Sequence, residues 1–179
     1  MLLALVWVGC SGAGANAEPR RTTKGITAVN KLGKPTDVRS LLALRELSRQ
    51  ELMSLLHLAP GDVREDVAYQ KLHGVARLHN AAIYPGHFYV RGDRLEVVYV
   101  GNASFLSGLA PAAIRQELGG AGVRLGSRAG KTANQYVYAD KGFAYSETDG
   151  AVDFVEVFAP MSMDEYRAKI YEDVGPFTK

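Results

Sequence analysis

The sequence predicts an α+β protein in which antiparallel β-hairpins and meanders are flanked by helices. Three observations carry that reading. Serine-led capping boxes mark helix starts, β-branched and aromatic runs stand at hairpin-turn spacing, and one helix-then-hairpin order occurs twice. With 179 residues, 47% hydrophobic and 22% charged, the chain has the composition of an ordinary globular protein with one domain or two small ones.

Before the body comes a different kind of segment. Residues 2–8 are an unbroken apolar run that meets Gly9 and Cys10, the only cysteine, and residues 11–17 are small and without apolar periodicity. We read residues 1–9 as a signal-like segment, Cys10 as a lipidation site, and residues 10–23 as a flexible linker to a body over 24–179. Val8 and Gly9 suit a lipoprotein cleavage box, whereas Trp7 stands where a small aliphatic residue is expected. No Lys or Arg precedes the run, which suggests a start codon placed too late. A plain cleaved signal and a buried strand with a core cysteine are the alternatives. Seven residues fall short of the roughly 20 that a membrane span needs. With one cysteine, the mature body can form neither an internal disulfide nor a thiolate metal site.

Residues 33–36 (Gly-Lys-Pro-Thr) open a periodic run, Val38, Leu41, Leu42 and Leu44, that predicts a short helix ending near Arg45. Ser48-Arg-Gln-Glu51 is a capping box with Leu47 and Leu52 at its staple positions, and predicts a helix over 48–58. Asp62-Val-Arg-Glu65 has the same spacing and predicts another over 62–72. Strands are expected at 83–84, 87–91 and 94–100, with Gly92-Asp93 as the tight turn. A helix at 111–118, stopped by Gly119-Gly120, leads to strands at 136–138, 143–147 and 152–158, turned at Thr148-Asp149-Gly150. Ser162-Met-Asp-Glu165 predicts a C-terminal helix over 162–171. The arrangement amounts to a degenerate tandem repeat, 47–100 and 109–158.

Charge is uneven. Residues 20–49 hold eight bases against two acids, and residues 140–173 nine acids against three bases. Two solvated faces that attract each other explain this, as does a basic segment resting on anionic headgroups. An exported chain with an acidic half is a poor partner for nucleic acid.

No motif specifies a reaction. Gly126-Ser-Arg-Ala-Gly-Lys-Thr132 is one residue short of a P-loop, and reads as a basic loop before a strand. Arg91-Gly92-Asp93 is a turn sequence, and Asn102-Ala-Ser104 is a sequon that matters only in a eukaryotic secretory route. Ser104 and Ser107 fit no nucleophile elbow. His73, His79 and His87 lack helical metal-site spacing, and His57 ends a helix, so no metal or cofactor is expected. Asp153 and Glu156 lie an odd number of residues apart in one strand and face opposite ways unless a bulge intervenes. The enzymatic alternative is a hydrolase-like or metal-dependent site at His79, His87 and Glu96. The strand aromatics give either a core or a contact surface, and Tyr89, Tyr99, Tyr138 and Tyr145 are the candidate binding face.

The cysteine box, the helix followed by a glycine turn, and the doubled hairpin-rich half resemble two groups. These are the tandem helix-plus-sheet modules of the secreted β-lactamase-inhibitor proteins and the small outer-membrane-assembly lipoproteins of the SmpA/OmlA family. Leu32-Gly33-Lys34-Pro35 matches the family's Leu-Gly-x-Pro turn but precedes a helix, while Leu118-Gly119-Gly120 precedes an aromatic strand without the proline. The resemblance covers residues 47–158. It implies a non-enzymatic protein at the cell envelope, on its periplasmic or extracellular face, that binds another envelope protein with its sheet.

Overall fold

The computed structural model describes residues 33–174. Residues 1–9, Cys10 and the expected linker lie outside them. An eight-stranded, wholly antiparallel sheet dominates, with helices packed on it, so the fold is α+β with the sheet as the larger part.

Helix α1 (Val38–Leu42) starts where Asp37 accepts from the Ser40 amide, and passes into a 3-10 turn, Ala43–Glu46. Helix α2 (Arg49–Leu55) begins at the Ser48–Glu51 box, with both reciprocal bonds formed, and ends three residues before the expected Leu58. The helix expected over 62–72 does not form. Asp62 turns back to accept from the Ala59 amide at 2.8 Å, closing a 3-10 turn, Pro60–Asp62. The chain then becomes β1 (Arg64–Tyr69) and β2 (Leu72–Asn80). Val67 and Tyr69, two residues apart, face the same cluster as Leu72 and Val75, so strand periodicity prevails over a capping box with no helical apolar stripe behind it. The meander continues through β3 (Tyr84–Arg91) and β4 (Arg94–Val100), joined at Gly92-Asp93.

Helix α3 (Ala103–Leu106) is capped by Asn102, whose side chain accepts from the Phe105 amide; the sequon asparagine thus has a structural use. Helix α4 (Pro111–Leu118) stops at Gly119. A second meander follows: β5 (Val123–Gly126), which the sequence did not announce, β6 (Asn134–Tyr138), β7 (Phe143–Thr148) and β8 (Ala151–Phe158). Helix α5 (Met163–Lys169) starts at the complete Ser162–Glu165 box.

The strand order is β1-β2-β3-β4-β8-β7-β6-β5, so the two meanders join through the last strand of each, with Val97 opposite Phe158 and Val100 opposite Val155. Alternation along the strands gives the sheet two faces. One packs under α1 to α4, in a cluster of Leu41, Leu52, Leu56, Phe88, Leu106, Ile114, Phe143 and Tyr145. The other packs Tyr69, Val97, Val137 and Phe158 against Tyr166 and Ile170 of the α5 segment.

Arg39, Arg45 and Arg49 reach Glu117, Glu46 and Glu65, and the Arg45 guanidinium also donates to the Lys141 carbonyl.

Candidate functional face

The face opposite α1 to α4 is only partly covered. Helix α5 lies over one region, the segment after β5 reaches over another, and Arg77, His79, His87, Tyr99 and Asp153 stay partly exposed.

At its centre Glu156 is fully buried. It lies in a strand that is apolar apart from Asp153, and four neighbouring donors satisfy it. Tyr69 Oη donates at 2.6 Å and Gln70 Nε2 at 3.0 Å to Oε1; Gln135 Nε2 at 3.2 Å and Tyr166 Oη donate to Oε2. Arg128 completes the set, its Nη2 lying 3.2 Å from Glu156 Oε1 and also donating to the Tyr69 hydroxyl. The guanidinium sits in an aromatic box, 4.9 Å from the Tyr69 centroid and 4.5 Å from those of Tyr99 and Phe154. Such stacking suits guanidinium, which is planar and weakly hydrated. Desolvation acts against the Arg128 charge, but the fields of Tyr69 and Glu156 outweigh it and raise its pKa. Burial first, and then the Glu156 charge, hold the Tyr69 and Tyr166 hydroxyls protonated well above the usual range. This network ties β8 to β1, β6, α5 and the loop that carries Arg128.

The loop that carries Arg128 is pinned at its start. Ser127 and Ser146 share a hydrogen bond of 2.6 Å, and Ser146 and Thr148 donate to Asp153 Oδ2 at 2.8 and 2.9 Å. A bulge where β7 meets β8 turns Asp153 toward Ser146. It therefore shares the side of Glu156, the bulge being the exception under which these two acids do not face opposite ways. The near-P-loop sequence is this loop, and it leads into β6.

His79 and His87 stand on adjacent strands with ring centroids 4.0 Å apart and stacked. His79 Nδ1 donates to the Gly86 carbonyl at 2.8 Å, while His87 Nδ1 is buried without a hydrogen-bond partner. Desolvation, helped by His79 and Arg77, pushes the His87 pKa down to about 4. The unfolded chain, with a histidine near 6.5, binds that proton more readily, so this contribution to stability is present above about pH 6.5 and is lost as pH falls toward 4. His87 is only partly buried, which screens the effect to about 1–2 kcal/mol. Urea midpoints at pH 7 and pH 5 should separate more in the parent than in His87→Phe; equal separations would refute the assignment.

The expected site residues divide between locations. Tyr89 and Tyr99 lie on the open face, Tyr89 buried beside Tyr69 at 4.6 Å between centroids. Tyr138 and Tyr145 lie on the helix-covered face: Tyr145 is fully buried and hydrogen-bonded to Arg115, and Tyr138 donates to the Gly120 carbonyl. The four therefore do not form one exposed face, because alternation sends the two β-meanders' tyrosines to opposite sides. Glu96 does not join the histidines; Arg94 and Arg91 hold it at 2.7 and 3.7 Å. His73 contributes its carbonyl to Arg91. Among the described residues no helix is long and apolar enough to cross a membrane.

Arg128 was the residue the sequence concealed, since its partners are 26 or more positions away. Glu156 was more legible, as an acid between Val155 and Val157 in a largely apolar strand. No protein-family model, curated protein or solved structure matches the chain significantly.

Proposed function

We propose that the chain is an exported lipoprotein, anchored through Cys10 at the cell envelope, whose body is a non-enzymatic module that binds another envelope protein. The observation that carries this reading is the unequal covering of the sheet: four helices shield one face, and the other keeps a strip of Arg77, His79, His87 and Tyr99 partly exposed. Arginine and aromatic side chains held on rigid strands are the usual anchors of a protein interface. The meander order, symmetric about the β4–β8 junction, supports a degenerate tandem repeat. A hydrolase-like or metal-dependent site at His79 and His87 has less support, because Glu96 is turned away to two arginines.

Photo-crosslinking tests the reading. A benzophenone side chain at position 87 or 99, introduced in the native host, should trap a discrete envelope protein, and the same group at the exposed position 39 on the helical side should not. In Cys10→Ala the body should leave the membrane fraction. Equal adducts from both sides would refute the face, and a variant as firmly membrane-bound as the parent would refute the anchor.

A further inference from the structure

The end of the open face nearest the β1 edge carries a feature that the binding reading leaves unused. Arg64 of β1 and Arg77 of β2 are directly opposite in the strand register. Like charges facing each other across a strand pair repel and destabilise it, unless something negative lies between them. Among the described residues neither forms an ion pair, although nine other ion pairs are present. Of the acids nearest in sequence, Glu65 is paired with Arg49 and Asp66 lies beside Gly74, while Asp62, which accepts from the Ala59 amide, shares the cavity wall without forming an ion pair with either arginine, so the cavity keeps a net positive charge. The two arginines line a cavity of about 410 Å³, with His57, Leu58, Asp62, His79 and Asn80 completing the wall. His79 and Asn80 are held there by bonds to the Gly86 and Leu56 carbonyls, so the wall is preorganised.

We propose that this cavity is an oxyanion site that receives a carboxylate side chain from an acidic segment of the bound partner. Two guanidinium groups can grip one carboxylate with charge-assisted, bidentate bonds that a lysine pair would not reproduce. The volume suits one or two side chains, and Leu58 gives the methylene stem an apolar contact. A membrane surface is a poorer fit, since recognition of anionic headgroups takes a cluster of four to eight bases rather than two in a recess. The site lies at the edge strand of the sheet, where an extended peptide can run alongside β1.

The test is fluorescence anisotropy of a labelled hexaglutamate peptide against the full chain, with Arg64→Gln, Arg77→Gln and, at the far edge of the sheet, Arg124→Gln. The first two should each weaken binding about tenfold and the third should leave it unchanged, with affinity falling as salt rises. Inorganic phosphate at millimolar concentration should displace the peptide, as a shared oxyanion site requires. Equal binding by all three variants and the parent overturns the proposal. So does binding to phosphatidylglycerol vesicles that depends on Arg64 and Arg77 when the peptide does not bind. The inference rests on the binding-module reading, and the two can fail separately. Peptide binding lost in Arg77→Gln but no crosslink from positions 87 and 99 would leave the pocket and refute the wider face; the reverse would leave the face and refute the pocket.

Discussion

Glu156→Ala is expected to destabilise the body by about 3–5 kcal/mol, a large part of the roughly 5–15 kcal/mol that holds a domain of this size. The substitution removes the common acceptor of Tyr69, Gln70, Gln135 and Tyr166 and leaves Arg128 without its counter-charge. Gln135 and Tyr166 still have each other, at 2.8 Å, and the aromatic box still attracts the guanidinium. What remains costly is a desolvated cation with no anion, because removing one partner of a buried pair costs more than the pair contributed. Should Glu156→Ala not fold, Glu156→Gln gives the graded case. It keeps the volume and one acceptor oxygen, but presents an amide to donors, and should cost about 1–3 kcal/mol. The double variant Glu156→Met, Arg128→Met should recover part of the loss, since an apolar filling leaves neither charge orphaned. A loss below about 1 kcal/mol for Glu156→Ala in urea denaturation would mean that the network contributes little.

Local chemistry made much of the fold legible. Ser48 and Ser162 announced their helices because a capping box is complete within four residues, and Gly92-Asp93 and Asp149-Gly150 announced turns for the same reason. The Asp62 box misled because Asp62 turns backward to the Ala59 amide and closes a 3-10 turn instead of capping forward to Glu65, and only the face on which Val67 and Tyr69 pack decides between the outcomes. β5 is only four residues long, too short for its alternation of Val123 and Leu125 to mark a strand, and its pairing with β6 across an irregular loop leaves no local trace. The candidate site was less legible still. Period-two alternation says that strand tyrosines divide between faces, but not which face the helices cover, so Tyr145 and Tyr99 looked alike and differ in position. Arg128 lies 59 residues from Tyr69 and 28 from Glu156, and no spacing rule connects them.

Gly142→Ala should be the most damaging small substitution in the second meander, at about 3–4 kcal/mol. Gly142 sits between the 3-10 turn at Ala139–Lys141 and β7 with φ +70, a left-handed conformation that costs a residue with a Cβ roughly 1–2 kcal/mol. A Cβ there would also run into the Phe158 carbonyl oxygen and come within 3.1 Å of the Pro160 nitrogen. Both are backbone atoms with no rotamer to change. The Phe158 amide donates to the Gly142 carbonyl at 2.9 Å, so the clash cannot be relieved without opening the β7–β8 ladder beside the β4–β8 junction. Gly150→Ala is the control. Its φ of +78 carries similar strain, but nothing lies within 4 Å of the added carbon, and the expected cost is about 1 kcal/mol. Thermal or urea denaturation of the two variants separates the clash from the strain. Equal losses would show that Phe158 and Pro160 yield, and that the junction between the two meanders is softer than its packing implies.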